Sequence, residues 1–154
     1  RYTDRGFEQI SNSYRWIQDN HSRSAPKVLR GLHYQFEQPQ AKLVSVIRGQ
    51  ILDVVVDIRR QSPTFGKSLT IELNSDDGSS LFIPAGFAHG FCVLGNEQAD
   101  VIYKVNSYYN AVGEGGIRWD DPELKISWPY PDPVLSDKDR ALKSFSEYKK
   151  QPRF

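Results

Sequence analysis

The chain has 154 residues, and its 20 Lys and Arg against 19 Asp and Glu give a formal net charge of +1. This balance argues against a protein that binds nucleic acid through bulk positive charge. No stretch approaches the ~18 consecutive apolar residues of a membrane span, so we expect neither a membrane segment nor a signal peptide. The length suits one domain that can bury a core, and we expect a single domain over residues 1–154.

Cys92 is the only cysteine in the sequence, so no disulfide can form within the chain. A lone cysteine fits a reducing compartment, and we expect a cytoplasmic protein. Cys92 itself is interpreted as a small, buried, apolar side chain.

The first third of the chain carries few signals of regular structure. Residues 1–20 are polar and mixed, and residues 21–25 (HSRSA) form a Ser-rich stretch that we interpret as a loop before Pro26. Residues 30–35 (RGLHYQ) then place an arginine, a histidine and a glutamine close together. An apolar run that contains Lys42 follows almost at once.

Strand signals follow one another between residues 41 and 105. They are short apolar runs, rich in β-branched residues and separated by Gly or Pro. The runs cover residues 43–47, 51–58, 68–73, 81–83, 89–94 and 101–105. At least six strands, about ten residues apart, predict a β-sandwich or barrel.

The last part of the chain changes character after the strands. Residues 108–133 are interpreted as loop. From Ser136 onward the sequence predicts a short helix, because Ser136 can cap it and Asp137 and Asp139 suit its first turn. The predicted fold class is therefore all-β with a short C-terminal helix.

His33 and Lys42 are close enough in sequence to reach one cavity. A histidine base and a lysine cation can together remove a proton next to a carbonyl and stabilise the resulting enolate. Spacing alone favours a simpler interpretation, a surface loop that leads into a strand. Asp53 and Asp57 are interpreted as structural residues.

Seven motifs in register change the interpretation of His33 and Lys42. They lie at residues 30–35 (RGLHYQ), 42–44 (KLV), 53–59 (DVVVDIR), 62–66 (SPTFG), 83–91 (IPAGFAHGF), 103–104 (YK) and 135–139 (LSDKD). Each motif alone is weak, but together they closely resemble the dTDP-4-dehydrorhamnose 3,5-epimerase family. The resemblance extends from Arg5 to Asp139.

The resemblance implies a double-stranded β-helix, or cupin-like jelly roll, that forms a homodimer. It implies epimerisation at C3 and C5 of a dTDP-linked 4-keto-6-deoxyhexose, on the route to dTDP-L-rhamnose, without a metal or organic cofactor. The catalytic residues implied are His33 as the base, Asp139 as its carboxylate partner, Tyr103 as the general acid, and Lys42 near the C4 oxygen. The substrate-binding residues implied are Arg5, Glu8, Gln18, Asp19, Asn20, Arg30, Lys42, His89, Tyr109, Glu114 and Lys138, with Tyr109 stacking on thymine.

Three other functions stay open at this point. An epimerase acting only at C3 or only at C5 of another deoxysugar would share the same motifs. A metal-dependent cupin needs two or three histidines and a carboxylate at close spacing, and His33 has no histidine beside it in its motif. A sugar-binding module without activity is expected to have lost His33, Lys42 or Tyr103, and the sequence keeps all three.

Overall fold

The computed structural model describes residues 14–154, so the predicted ligand-binding residues Arg5 and Glu8 lie outside the described residues. Nine β-strands and two short α-helices form the regular structure of this part of the chain. The strands are β1 (Gln18–Ser24), β2 (Leu29–Gln35), β3 (Lys42–Arg48), β4 (Gln50–Asp57), β5 (Ser68–Asn74), β6 (Ser80–Ile83), β7 (Phe87–Val93), β8 (Ala99–Val105) and β9 (Glu114–Gly116). The helices are α1 (Asp137–Arg140) and α2 (Phe145–Lys150).

The strands form two antiparallel sheets. One sheet has four strands in the order β1-β8-β3-β6, and the other has five in the order β5-β4-β7-β2-β9. The all-β prediction is therefore confirmed. Because side chains alternate across a strand, every second residue of each strand points into the space between the sheets.

The main hydrophobic core fills the space between the two sheets. Its buried side chains are Val44, Val46, Ile51, Val55, Leu73, Ile83, Phe91, Val93, Ala99 and Val101. Fully burying an aliphatic side chain of this size stabilises the fold by about 1.5–3 kcal/mol. This core holds the inner faces of the sheets at a fixed separation, and the same inner faces carry the polar groups described below.

A second cluster covers the outer face of the five-stranded sheet. Its buried members are Leu32, Val54, Val56, Ile58, Ala88, Ile117, Leu124, Phe145 and Tyr148. Val54 and Val56 alternate with Ile51 and Val55 of the main core, so β4 is buried on both faces. This explains why β4 is a nearly continuous apolar run in the sequence.

Strands β2 and β7 approach each other closely at two glycines. A Cβ on Gly31 would lie 2.6 Å from the Cα of Gly90, and a Cβ on Gly90 would lie 2.6 Å from the carbonyl oxygen of Arg30. Gly31 also has φ of 115°, which favours glycine. The register shifts between Arg30 and His33, and His33 comes to lie directly opposite His89.

The interpretation of residues 21–25 as a loop is wrong, because residues 21–24 belong to strand β1. Gln18–Ser24 pairs along its whole length with β8. The strand was missed because it alternates partly buried polar residues with exposed ones instead of apolar with polar. Short β9 was also missed, since its three residues Glu114–Gly116 lie within the segment interpreted as loop.

One further prediction needs correction. The single helix predicted from Ser136 is two short helices: Ser136 caps α1 as predicted, but Ser144 caps α2 anew with Glu147 in a capping box. The strand predicted at residues 68–73 is confirmed as β5, the edge strand of its sheet, on which Leu69 is 54% exposed. Among residues 14–154, no helix is long and apolar enough to cross a membrane.

Asp57 organises the turn that follows β4, in agreement with its interpretation as a structural residue. Its buried carboxylate accepts hydrogen bonds from Arg59 Nη2 at 2.7 Å, Ser62 Oγ at 2.5 Å and Thr64 Oγ1 at 2.6 Å. Burial alone would raise the pKa of the Asp57 carboxyl, but these hydrogen bonds hold it well below its ordinary value.

Replacing Asp57 with Asn should lower the free energy of unfolding by about 2 kcal/mol at pH 7, because hydrogen bonds to a charged acceptor are lost. The stabilisation by Asp57 is fully present above the pKa of an unfolded aspartate, about 4, and is lost as the pH falls through the low folded pKa. Urea unfolding at pH 7 and pH 3 measures the difference, which should shrink at pH 3. Exposed Asp132→Asn is the control and should change stability little; an equal loss at both pH values would contradict the assignment.

Candidate active site

A cavity of about 250 Å³ opens beside the main core and is lined by five strands and the start of α1. Its walls are formed by Ser22, Arg30, His33, Lys42, His89, Gly90, Phe91, Tyr103, Ser136, Lys138 and Asp139. All four residues predicted to be catalytic are in this set, and so are three more that were predicted to bind the substrate. Residues far apart in the sequence, from Ser22 to Asp139, thus meet at one place.

His33 and Asp139 form a hydrogen-bonded pair at the cavity. The distance from His33 Nε2 to Asp139 Oδ1 is 2.6 Å, although the two residues are 106 positions apart in the sequence. The His33 side chain is 27% exposed and that of Asp139 only 5%. The imidazole therefore presents its other nitrogen, Nδ1, for reaction while the carboxylate stays behind it.

Ser136 and the start of α1 fix the position of Asp139. Ser136 Oγ donates to Asp139 Oδ2 at 2.7 Å and accepts from the Asp139 backbone N–H at 3.1 Å. Burial would raise the pKa of the Asp139 carboxyl, but the hydrogen bonds from His33 and Ser136 lower it. The carboxylate stays ionised beside His33, where it stabilises a protonated imidazole.

Lys42 is on the inner face of β3 and points into the cavity. Burial lowers the pKa of its ammonium group to about 8, and the negative charges of Asp53 and Glu114 act against this shift. Lys42 takes part in no salt bridge within residues 14–154. A partly buried cation without a close anionic partner is suited to bind an oxygen that gains negative charge during a reaction.

Tyr103 lies on the inner face of β8, across the sheet from Val44 and Asn20. Burial raises the pKa of its phenol, and the positive charge of Arg30 only partly opposes this. The hydroxyl therefore keeps its proton at neutral pH and can act as a proton donor.

His89 forms a second histidine–carboxylate pair in the same cavity. Its Nε2 lies 3.0 Å from Asp53 Oδ1 and 2.9 Å from Asp53 Oδ2. Asp53 is fully buried and His89 is 7% exposed. Asp53, which was interpreted from the sequence as a structural residue, thus contacts a residue of the cavity wall directly.

The cavity is surrounded by four further polar residues: Arg30, Lys138, Glu114 and Tyr109. Arg30 Nε donates to Ser24 Oγ at 2.9 Å. Glu114 Oε2 accepts from Lys138 Nζ at 2.6 Å and from Tyr109 Oη at 2.7 Å. Glu114 and Tyr109 do not line the cavity itself, and Tyr109 is 58% exposed, so this network forms a polar, partly open rim.

The three consecutive candidates on β1 do not share one side of the sheet. Gln18 and Asn20 are partly buried on the inner face and bond to each other at 2.8 Å, but neither lines the cavity. Asp19 is exposed on the outer face, where it binds Lys104 Nζ at 3.0 Å. The structure therefore does not bring Asp19 to the cavity.

Four residues of the cavity wall were not singled out as ligand-contacting residues by the sequence analysis: Ser22, Gly90, Phe91 and Ser136. Ser22 follows Gln18 and Asn20 at every second position, a signal that was hidden by the loop interpretation of residues 21–25. Phe91 lies two residues after His89, on the same face of β7. Ser136 was predicted as a helix cap, and its place at the start of α1 brings it to the cavity.

Metal ligation was one alternative for the histidines. Within the described part of the chain, no group of three or more His, Cys, Asp and Glu side chains is arranged to hold a metal ion. His33 and His89 are each engaged by a carboxylate instead. The cavity combines a base, a proton donor and a cation, and such a set can remove a proton next to a carbonyl, stabilise the enolate and reprotonate it.

Comparisons with known proteins agree with this chemistry. A family model described as dTDP-4-dehydrorhamnose 3,5-epimerase matches residues 1–147. The dTDP-4-dehydrorhamnose 3,5-epimerase of Shigella flexneri is 50% identical over 133 residues, which are 86% of this chain and 73% of that protein. The enzyme of the same name from Pseudomonas aeruginosa is 49% identical over 148 residues, or 95% of this chain and 81% of that protein.

A solved structure extends the likeness to the fold. The dTDP-6-deoxy-D-glucose-3,5-epimerase of Legionella pneumophila, in complex with dTDP-4-keto-L-rhamnose, superposes with a TM-score of 0.90 at 43% identity. The match covers 99% of this chain and 83% of that chain, and it confirms the predicted cupin-like jelly roll. Since the family model spans almost the whole sequence and close relatives share about half of its residues, the chain belongs to the dTDP-4-dehydrorhamnose 3,5-epimerase family.

Proposed function

We propose that the protein is an isomerase that epimerises dTDP-4-dehydro-6-deoxy-D-glucose at C3 and C5, giving dTDP-4-dehydro-L-rhamnose for dTDP-L-rhamnose biosynthesis. The observation that carries the proposal is the convergence of three groups on one cavity: the His33–Asp139 pair, the Lys42 ammonium and the Tyr103 hydroxyl. The relatives from Shigella flexneri and Pseudomonas aeruginosa, named for this reaction, support it.

In the first step, His33 removes a proton from a carbon next to the C4 ketone. A neutral ketone is a weak carbon acid, so the negative charge that develops on its oxygen needs stabilisation. Lys42 supplies a positive charge for that oxygen inside a partly dry cavity. Asp139 stabilises the imidazolium that forms when His33 takes the proton.

In the second step, Tyr103 donates its hydroxyl proton to the same carbon from the opposite face of the sugar. The configuration at that carbon is thereby inverted. Tyr103 then takes a proton from solvent and His33 releases its proton to solvent, so the enzyme returns to its starting state. The cycle runs once at C3 and once at C5, and it needs no metal or organic cofactor.

The cavity volume suits the sugar ring rather than the whole nucleotide sugar. At about 250 Å³ it is smaller than the ~300–1,000 Å³ of pockets that enclose drug-sized ligands. We therefore place the nucleotide along the rim, where exposed Tyr109 can stack on thymine and Lys138 can contact a phosphate. Further nucleotide contacts are assigned, by the family resemblance, to Arg5, Glu8, Gln18, Asn20, Arg30 and Glu114.

The direct test is incubation of the protein with dTDP-4-keto-6-deoxyglucose in deuterated water. Each deprotonated carbon picks up deuterium, so the product should be the L-sugar labelled at both C3 and C5. NMR reads the position of the label and the configuration together. Label at one carbon alone would indicate a mono-epimerase, and a sugar without label would rule out epimerase activity.

Tyr103→Phe should separate proton removal from inversion. The variant keeps His33, Lys42 and the cavity shape, so His33 should still exchange deuterium into the sugar by returning a deuteron to the same face. The rate of inversion should fall by about 10²- to 10⁴-fold, as is typical when a general acid is lost. NMR of the product, compared with the deuterium count, gives the two rates.

Tyr109→Phe is the matched control for Tyr103→Phe. It loses the hydroxyl that binds Glu114 but keeps the ring for stacking, so exchange and inversion should both be largely retained. If Tyr109→Phe is the variant that exchanges without inversion, Tyr103 is not the acid.

We further propose that the protein acts as a homodimer in the cytoplasm, where buried, free Cys92 stays reduced. The outer face of the four-stranded sheet supports pairing, because it exposes 53% of Ile47 and 37% of Ile102 beside a groove of about 380 Å³. A second copy of the same face would cover these apolar side chains.

The dimer proposal predicts that Ile47→Glu shifts the protein toward monomers, because a charge would be buried at the interface. Light scattering at micromolar concentration should report a dimer for the wild type and a smaller mass for the variant. Leu69→Glu is the control, since Leu69 is 54% exposed on the other sheet, and it should stay dimeric. A wild-type protein that is monomeric would refute the dimer. An Ile47→Glu variant that stays dimeric would show that the interface lies on another face.

A further inference from the structure

Phe91 belongs both to the main hydrophobic core and to the wall of the active-site cavity. It is only 5% exposed among the core side chains between the two sheets, and it also lines the cavity. Within residues 14–154, none of the other buried members of that core lines the cavity. The Phe91 ring is therefore the point at which the apolar interior of the sandwich reaches a bound ligand.

The rest of the cavity wall is built for hydrogen bonding. Apart from Gly90, the other lining residues of the described chain all carry a hydroxyl, an imidazole, a cation or a carboxylate: Ser22, Arg30, His33, Lys42, His89, Tyr103, Ser136, Lys138 and Asp139. Ser22 Oγ is buried and has no hydrogen-bond partner within residues 14–154, so a ligand hydroxyl would complete its bonding. The Phe91 ring offers a polar ligand group no such partner.

The sheet register fixes Phe91 close to the groups that carry out the proposed reaction. Phe91 pairs with Arg30 of β2, and His89, two residues earlier on the same face of β7, pairs with His33. Phe91 thus lies one step farther along the inner face than the proposed base. Tyr103 comes from the facing sheet and packs against the same core. A sugar held between His33 and Tyr103 therefore has the Phe91 ring in the wall beside it.

The proposed substrate has one apolar substituent, the methyl group at C6. The methyl is attached to C5, the carbon next to the C4 ketone, so a sugar whose ketone oxygen is bound by Lys42 carries its methyl into the cavity. The hydroxyls at C2 and C3 need hydrogen-bond partners, and the polar wall supplies them. The apolar contact that the methyl needs is available at Phe91.

We propose that Phe91 determines the selectivity of the site for 6-deoxy sugars, because its ring contacts the C6 methyl and disfavours a hydroxyl at that carbon. A 6-hydroxyl placed against the ring would lose its water without gaining a hydrogen-bond partner. The inference rests on the proposed function, in which the ligand is a nucleotide-linked 4-keto-6-deoxyhexose.

Selectivity at C6 also protects the chemistry at C5. In a 6-hydroxy sugar, removal of the C5 proton by His33 would give an enolate with a hydroxyl on the neighbouring carbon. The ketone would then re-form as the electron pair of the enolate makes a C5=C6 double bond, and the hydroxyl would leave as water with a proton from Tyr103. A 6-deoxy sugar has no leaving group at C6, so its enolate is reprotonated at carbon. Exclusion of 6-hydroxy sugars thus prevents a side reaction.

Binding of two unreactive ligands tests the selectivity. The ligands dTDP-6-deoxy-D-glucose and dTDP-D-glucose have a hydroxyl in place of the C4 ketone, so neither is epimerised, and they differ only in the hydroxyl at C6. Titration calorimetry should show that the wild type binds the 6-deoxy ligand about 10- to 100-fold more tightly, as expected for a hydroxyl in an apolar pocket. Equal affinities for the two ligands would overturn the proposal.

Phe91→Ala should bring the ratio of the two affinities close to one. Without the ring, the methyl loses its apolar contact and water can reach a 6-hydroxyl. Phe145→Ala is the matched control, because Phe145 is also 5% exposed but belongs to the second cluster, on the outer face of the five-stranded sheet. It removes a buried ring of the same size and should keep the wild-type ratio. A Phe91→Ala variant that keeps the wild-type ratio would contradict the proposal.

The contact itself is tested in the wild type and needs no variant to fold. With ring-labelled phenylalanine, NMR of the complex with dTDP-6-deoxy-D-glucose should show an NOE between the C6 methyl and a phenylalanine ring. Phe91 is the one phenylalanine of residues 14–154 that lines the cavity. A bound methyl without this NOE would overturn the proposal. These measurements need binding alone, whereas failure of the proposed function would be seen separately, as absence of deuterium in the keto sugar.

Discussion

The close contact between β2 and β7 is the constraint on which the site depends. Gly31 and Gly90 let the two backbones approach to distances that a Cβ would block, and the register shift at this point sets His33 opposite His89. A slip of one residue in either strand would turn its histidine to the other face of the sheet, into the apolar cluster under α2. The placement of both imidazoles is thus decided by backbone packing rather than by the histidines themselves.

The same inner faces carry the apolar core and the polar cavity, and contacts between carboxylates and histidines help to make this possible. On β4, Asp53 lies between Ile51 and Val55; on β3, Lys42 precedes buried Val44. Isolated charges in such positions would be strongly unfavourable. Asp53 and Asp139 therefore each contact a histidine, and the cavity holds these groups beside Lys42 in a partly dry space, the condition in which electrostatic stabilisation of an enolate is strongest.

The sequence predicted the strands between residues 41 and 105 because each is a short run rich in apolar and β-branched residues. It failed at β1, whose inward residues Gln18, Asn20 and Ser22 are polar and so give no hydrophobic pattern. It also failed to identify Asp53 as a partner of the cavity wall, since a single aspartate in an apolar strand does not reveal which side chain it meets across the sheet. The motifs placed His33, Lys42, Tyr103 and Asp139 in one site, but only coordinates give the pairing of Asp53 with His89.

The carboxylate behind His33 depends on how the end of the chain docks. Helix α1 has only four residues, too few to be stable by itself. Parallel bridges fix the chain on both sides of it, from Val28 to Val134 and from Ile117 to Lys143. Within that frame the Ser136 cap and the bond to His33 hold Asp139, while Lys138 reaches Glu114 on the rim. The groups that orient the base and the groups that surround the ligand are therefore adjacent residues of one docked segment, so the base acquires its carboxylate only when the sandwich and the C-terminal segment are assembled together.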